Sequence, residues 1–223
     1  MNGQTWDEQA CLDWMTARRS VRAFTDRPIP RATLEHLLLA ATSAPSNTNR
    51  QPWRFAVVTS KAMRDRIAAA VKTRADAMKA IIRRGHHGDD FGNYGDFFHE
   101  PLQGAAAIVI PQYRDYPDLI ANFLASGGVD PADYTTAGAM QAELCSTAAA
   151  VMALLLQAHA SGLGACWMAG PMVARDDICA LLGIAAPFHM AGAIALGYPA
   201  GTPEPKPRKP LDKVVQWFDD GLS

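Results

Sequence analysis

The 223-residue chain is short of several features that would place it at once. Its four cysteines, Cys11, Cys145, Cys166 and Cys179, form no CxxC pair and no even framework. That pattern argues against a disulfide scaffold and for reduced, packed thiols. Lys and Arg total 21 against 22 Asp and Glu, a net charge of −1, so there is no electrostatic footprint for nucleic acid or an anionic membrane. The longest apolar run, about 144–160, is interrupted by Gln157 and His159 and preceded by Glu143, unlike a membrane span. Residues 1–8 are polar and acidic where a secretory signal would be basic and then apolar, so a cytoplasmic protein is expected. No Walker A sequence occurs. Gly162 and Gly164 do not complete GxGxxG, because position 167 is Trp and a helical pattern precedes them. There is no HExxH, and His86, His87, Asp89, Asp90, Asp96, His99 and Glu100 show no ligand spacing. No metal is expected.

What is present is 49% apolar residues, enough for one globular domain over 1–223 with its own core. Helices are predicted over 7–17, 31–42, 61–84, 135–161 and 176–182. Leu34, Leu37, Leu38 and Ala41 repeat at helical spacing in the second, and Gly162 closes the fourth. Strands are predicted over 53–59, 105–111, 165–169 and 190–198. Alternating strands and helices imply an α/β or α+β class around a central sheet. Residues 85–104, rich in glycine and aromatics, read as a long loop, and the proline-rich tail from about 199 as extended.

Three local features carry chemistry. Arg18, Arg19, Ser20 and Arg22 place three guanidiniums and a hydroxyl within five residues, a set able to neutralise a phosphate. Residues 45–52 hold two prolines around short polar side chains, suited to the polar edge of a planar ring. Lys206, Arg208 and Lys209 sit on the tail stiffened by proline. Singly, each also fits a solvated helix end, a capped turn or a solvated tail. Together they offer a phosphate clamp and a ring-binding loop.

The run from Arg18 to Phe24, the helix 34–41 and the segment 44–55 resemble the N-terminal signature of the FMN-dependent nitroreductase family. Residues 162–167 and 196–199 resemble its two C-terminal blocks. The resemblance implies an α+β sandwich, a mostly antiparallel central sheet flanked by helices, in an intertwined homodimer. It implies FMN at the subunit interface and NADH or NADPH as transient reductant. Arg18 and Ser20, with Lys206 and Arg208, would hold the phosphate. Arg19 and Arg22 would line the ribityl chain and pyrimidine edge. Pro45, Ser46, Asn47 and Asn49 would come from the other subunit. Trp167, Met168, Ala169 and Gly170 would run beside the ring's N5 side, with a backbone amide donating there. Many relatives are acidic where this chain has Ala169.

No side chain is expected to act as a nucleophile, since the chemistry belongs to the flavin. Nitroaromatics, quinones and activated alkenes are the expected small-molecule acceptors. Phe91, Tyr94, Phe97 and Phe98, within about 84–104, are expected to form a substrate lid, and Cys166 a buried structural thiol. The alternatives are an oxygen-using or dehalogenating enzyme of the same fold, or a flavin-binding protein without turnover. The lid pattern of deiodinase relatives is not evident in the sequence.

Overall fold

The structure, a computed structural model, describes residues 7–85, 91, 93–134 and 140–218. His86, His87, Asp89, Asp90 and the first turn of the helix predicted from 135 lie outside the described residues. In chain order the elements are α1 (Glu8–Ala17), α2 (Arg31–Thr42), β1 (Trp53–Val58), α3 (Lys61–Ile82), α4 (Asp96–Gly104), β2 (Ala107–Arg114), α5 (Leu119–Ser126), α6 (Ala142–Ala160), β3 (Gly164–Met168), α7 (Arg175–Leu182), β4 (Phe188–Met190) and β5 (Ala193–Gly197).

Helix starts follow local chemistry. Asp7 accepts from the Ala10 amide before α1, Ser60 from the Met63 amide before α3, and Asp118 from the Ile120 and Ala121 amides before α5. α6 ends as its sequence demands: Gly162 turns at φ 69° and the Leu163 amide donates back to the Ala158 carbonyl at 2.9 Å.

The strands form one sheet in the order β1-β2-β5-β3, with β4 paired to the far end of β2, and all these pairings are antiparallel. β2 is the central strand, and its alternation divides the core. Ile108 and Ile110 face α3, α4 and α7, whereas Ala107 and Val109 face α2 and α6. α6 is long and apolar enough to cross a bilayer, but it lays Ala150, Val151, Leu154 and Ala158 into this second core.

Three readings of the sequence are corrected. The presumed loop 85–104 contains α4, entered through the left-handed Gly95 (φ 106°) and driven by burial of Phe98 and Leu102. Glycines and Pro101 obscured that helix. The strand expected over 190–198 is two strands, broken at Gly192 (φ 89°). α5 was not anticipated.

At the sheet edge, residues 20–25 form a strap. Ser20 bridges Ala165 in parallel, Phe24 bridges Pro199, and the Thr25 amide donates to the Tyr198 carbonyl at 2.8 Å. Glycines admit the strap. A Cβ at Gly164 would lie 2.6 Å from Val21, and one at Gly197 2.7 Å from Phe24. Gly164→Ala should therefore cost about 1–3 kcal/mol of stability by overpacking, read as a lower denaturation midpoint in urea.

Candidate functional site

The strap places the arginine cluster. Extended backbone sends alternate side chains to opposite sides. Val21 turns inward over Gly164 and is buried, between Ser20 and Arg22 in the strap, while Arg18 at the end of α1 lines a pocket with it. Arg22, Ser20 and Arg18 all act on Cys166. Burial pushes the Cys166 thiol up, against Arg22, the Ser20 hydroxyl and Arg18, so it is a protonated packing group. Arg18 Nε is buried and has no hydrogen-bond partner among the described residues, an open requirement for an acceptor. Arg19 is turned back instead, donating to the carbonyls of Thr16 at 2.6 Å and Arg18 at 2.9 Å.

The loop after α2 is fixed from a distance. Thr48, Asn49 and Gln51 all have left-handed backbones, with φ of 48°, 55° and 48°, a conformation non-glycine residues adopt at a cost. Ser46 Oγ accepts from the Gln51 amide at 3.0 Å, and Ser146 Oγ from the Asn47 amide at 3.2 Å. Arg50 pairs with Glu143 at 2.9 Å, both side chains largely buried. The start of α6 thus holds Pro45, Ser46, Asn47 and Asn49 in place. Among the described residues, no hydrogen bond or ion pair joins them to Arg18 or Ser20.

β3 carries the next group. Its end, Trp167 and Met168, leads through Ala169 into the short helical turn Gly170–Ala174. The Trp167 indole is 40% exposed and pinned by an Nε1–H bond to the Ala191 carbonyl at 2.8 Å. Gly170 has no room for a side chain, because a Cβ would fall 2.2 Å from the Phe98 ring.

That contact corrects one expectation. Phe98 is a core residue and cannot stack over a ligand. Phe91, Tyr94 and Phe97 are exposed and meet edge to face: Tyr94 lies 6.0 Å from Phe91 and 5.6 Å from Phe97, centroid to centroid. Lys79 anchors this unit by binding Asp96 while also meeting Asp76 at 2.9 Å. Lys206 and Arg208 are exposed on the extended tail, with no hydrogen-bond or ion-pair partner among the described residues.

Sequence reasoning missed Tyr113. It shares a face of β2 with Ala107 and Val109 by alternation, and lines a cleft with Trp167, Ala169 and Met190. Burial, then the nearby Asp115, pushes its phenol up, with Arg175 opposing. The Arg50–Glu143 pair was also missed, since its members are 93 residues apart.

The nitroreductase family profile matches residues 15–198. The chain belongs to the nitroreductase family. A Thermus thermophilus relative named NADH dehydrogenase is 30% identical over 92% of this chain and 96% of its own. Two solved structures share the nitroreductase-like fold. A BluB-like flavoprotein from Clostridium difficile 630 has a TM-score of 0.82 at 20% identity, covering 94% of this chain and 99% of that one. A structure described as a nitroreductase in complex with FMN, from Desulfovibrio desulfuricans, has a TM-score of 0.66 at 23% identity, covering 96% and 99%. The matched region of this nitroreductase-family chain spans the strap, the loop and β3. Among the described residues no cluster of metal-ligating side chains occurs.

Two outcomes follow for the aromatic unit. Asp76 is held at about 2 by hydrogen bonds from Lys72 and Lys79, against an ordinary 3.8. A carboxylate depressed on folding stabilises above its unfolded value and loses that contribution as pH falls toward the folded one. Amide protection factors in α3 and α4, corrected for intrinsic exchange, should therefore fall between pH 3.8 and about 2, and Asp76→Asn should remove this acid-dependent step. Phe98→Ala should cost about 3–5 kcal/mol in denaturant unfolding, whereas the exposed Phe97→Ala should leave stability within about 0.5 kcal/mol.

Proposed function

We propose that this nitroreductase-family protein is an FMN-dependent NAD(P)H oxidoreductase. It acts as a homodimer and reduces nitroaromatic, quinone or activated-alkene acceptors by two-electron hydride transfer. The observation that carries the reading is the Arg18–Ser20–Arg22 cluster, with a buried Arg18 guanidinium nitrogen lacking an acceptor among the described residues. A phosphate supplies that acceptor and the countercharge, so the residues fit a phosphate-bearing flavin. The FMN of the Desulfovibrio structure and the NADH named in the Thermus relative point the same way.

When bound, FMN supplies the hydride chemistry at its N5. Arg18 and Ser20 hold the phosphate, joined by Lys206 and Arg208 from the tail. Arg22 keeps a positive charge toward the pyrimidine edge, where a reduced ring gathers negative charge. Arg19, bonded to the carbonyls of Thr16 and Arg18, stiffens the end of α1 and would reach the ribityl chain only on leaving those bonds. Residues 167–170 would present backbone to the N5 side, with Gly170 held there by the Phe98 ring packed against it. Pro45, Ser46, Asn47 and Asn49 cover the ring of the other subunit, their rigid left-handed turn limiting the entropy lost on binding.

Unpaired apolar surface supports the dimer. α1 buries none of its residues yet displays Leu12, Trp14 and Met15. α5 displays Leu119, Ile120 and Phe123. Such faces mark subunit contacts.

The purified protein should be yellow and should bleach anaerobically with NADH or NADPH, then recover its colour on adding an acceptor. Arg18→Ala combined with Ser20→Ala should release most of the FMN, read from flavin absorbance per protein. A fully flavinylated double variant would contradict the phosphate assignment.

A further inference from the structure

The cleft between the first half of α6 and the far end of the sheet has a volume of about 560 Å³. Leu144 and Cys145 of α6 form one wall, Trp167 and Met172 the other, and Tyr113 and Met190 the end; no charged side chain lines it. A flat, neutral molecule suits such a lining. Its side-chain donors are few, and most are engaged. The Trp167 indole N–H is bound to the Ala191 carbonyl, and the Cys145 thiol donates to the Met140 carbonyl at 3.1 Å. The Tyr113 hydroxyl has no hydrogen-bond partner among the described residues. It is the cleft's one unengaged side-chain donor among them.

The surroundings of Tyr113 suit a proton donor. Its ring lies on the His189 imidazole, centroids 5.2 Å apart, and His189 Nε2 meets Asp115 at 2.6 Å. The charged and titratable groups around the phenol are therefore Asp115 just past the end of its strand, His189 on β4 and Arg175 at the start of α7. Burial and Asp115 together keep the phenol protonated well above neutral pH.

We propose that this cleft is the electron-acceptor site, and that Tyr113 holds an oxygen of a neutral planar acceptor and delivers the proton that accompanies its reduction. The inference rests on the oxidoreductase reading, because Trp167 and Ala169, assigned to the N5 side, line the same cleft. With a quinone as acceptor, one hydride arrives from the reduced flavin, carrying both electrons. The Tyr113 O–H bond breaks and an O–H bond forms on the quinone oxygen. The quinone departs as hydroquinone, the flavin is left oxidised, and the Tyr113 phenolate takes a proton from water.

Tyr113→Phe keeps the ring and removes only the hydroxyl. In the holoprotein, FMN content and anaerobic flavin reduction by NADH or NADPH should be unchanged. Reoxidation by menadione should slow about 100-fold, the usual worth of a general acid. Menadione titrated calorimetrically into the oxidised protein as purified should bind several-fold more weakly to the variant. Unchanged reoxidation overturns the proposal. So does loss of FMN from the variant, which would put the flavin, and not the acceptor, against Tyr113. Wild-type flavin that neither NADH nor NADPH bleaches would overturn the oxidoreductase reading instead, and equal menadione binding by wild type and variant would still count separately against the Tyr113 site.

Discussion

The contact between Val21 and Gly164 governs the arrangement of the site. A strap without its own helix or sheet partners would wander, and its arginines with it. Here Val21 fills a notch that exists only because residue 164 has no side chain, and backbone bonds at Ala165 and Tyr198 hold the strap on either side of that point. Because the strap is extended, one buried side chain fixes the direction of its neighbours. Ser20 and Arg22 alternate with Val21 along the strap, and Arg18 at the end of α1 closes the cluster beside it.

The second constraint is the double duty of α6. Its apolar stripe completes the core under β2, while its first turn reaches out to the loop after α2 through Ser146 and Glu143. The helix ties backbone strain at Thr48, Asn49 and Gln51 to the packed interior. It also forms a wall of the Tyr113 cleft, so core, loop and cleft share one rigid element.

Legibility in the sequence followed the range of the interactions. α2, α3 and the body of α6 were readable because their periodicity and caps are local. The arginine cluster and the 44–53 segment were readable as motifs. α4 was not, because Gly95 and Pro101 signal a loop locally, while burial of Phe98 against Gly170, 72 residues later, makes a helix. The same contact takes Phe98 out of the exposed aromatic group of Phe91, Tyr94 and Phe97. Tyr113 carried no motif at all; its meaning comes from α6, β3 and β4 converging around it. The Arg50–Glu143 pair was hidden for the same reason, since neither residue has a charge partner nearby in sequence.

The tail after β5 leaves an energetic obligation outside the subunit. Leu211, Val214, Trp217 and Phe218 stand in solvent, the last two at 78% and 87% exposure. Whatever free energy their burial can yield is available only where another surface covers them. If that surface is a second copy, mass action makes part of the native state's stability a function of protein concentration. Dilution alone would then lower the melting temperature of an unaltered sequence.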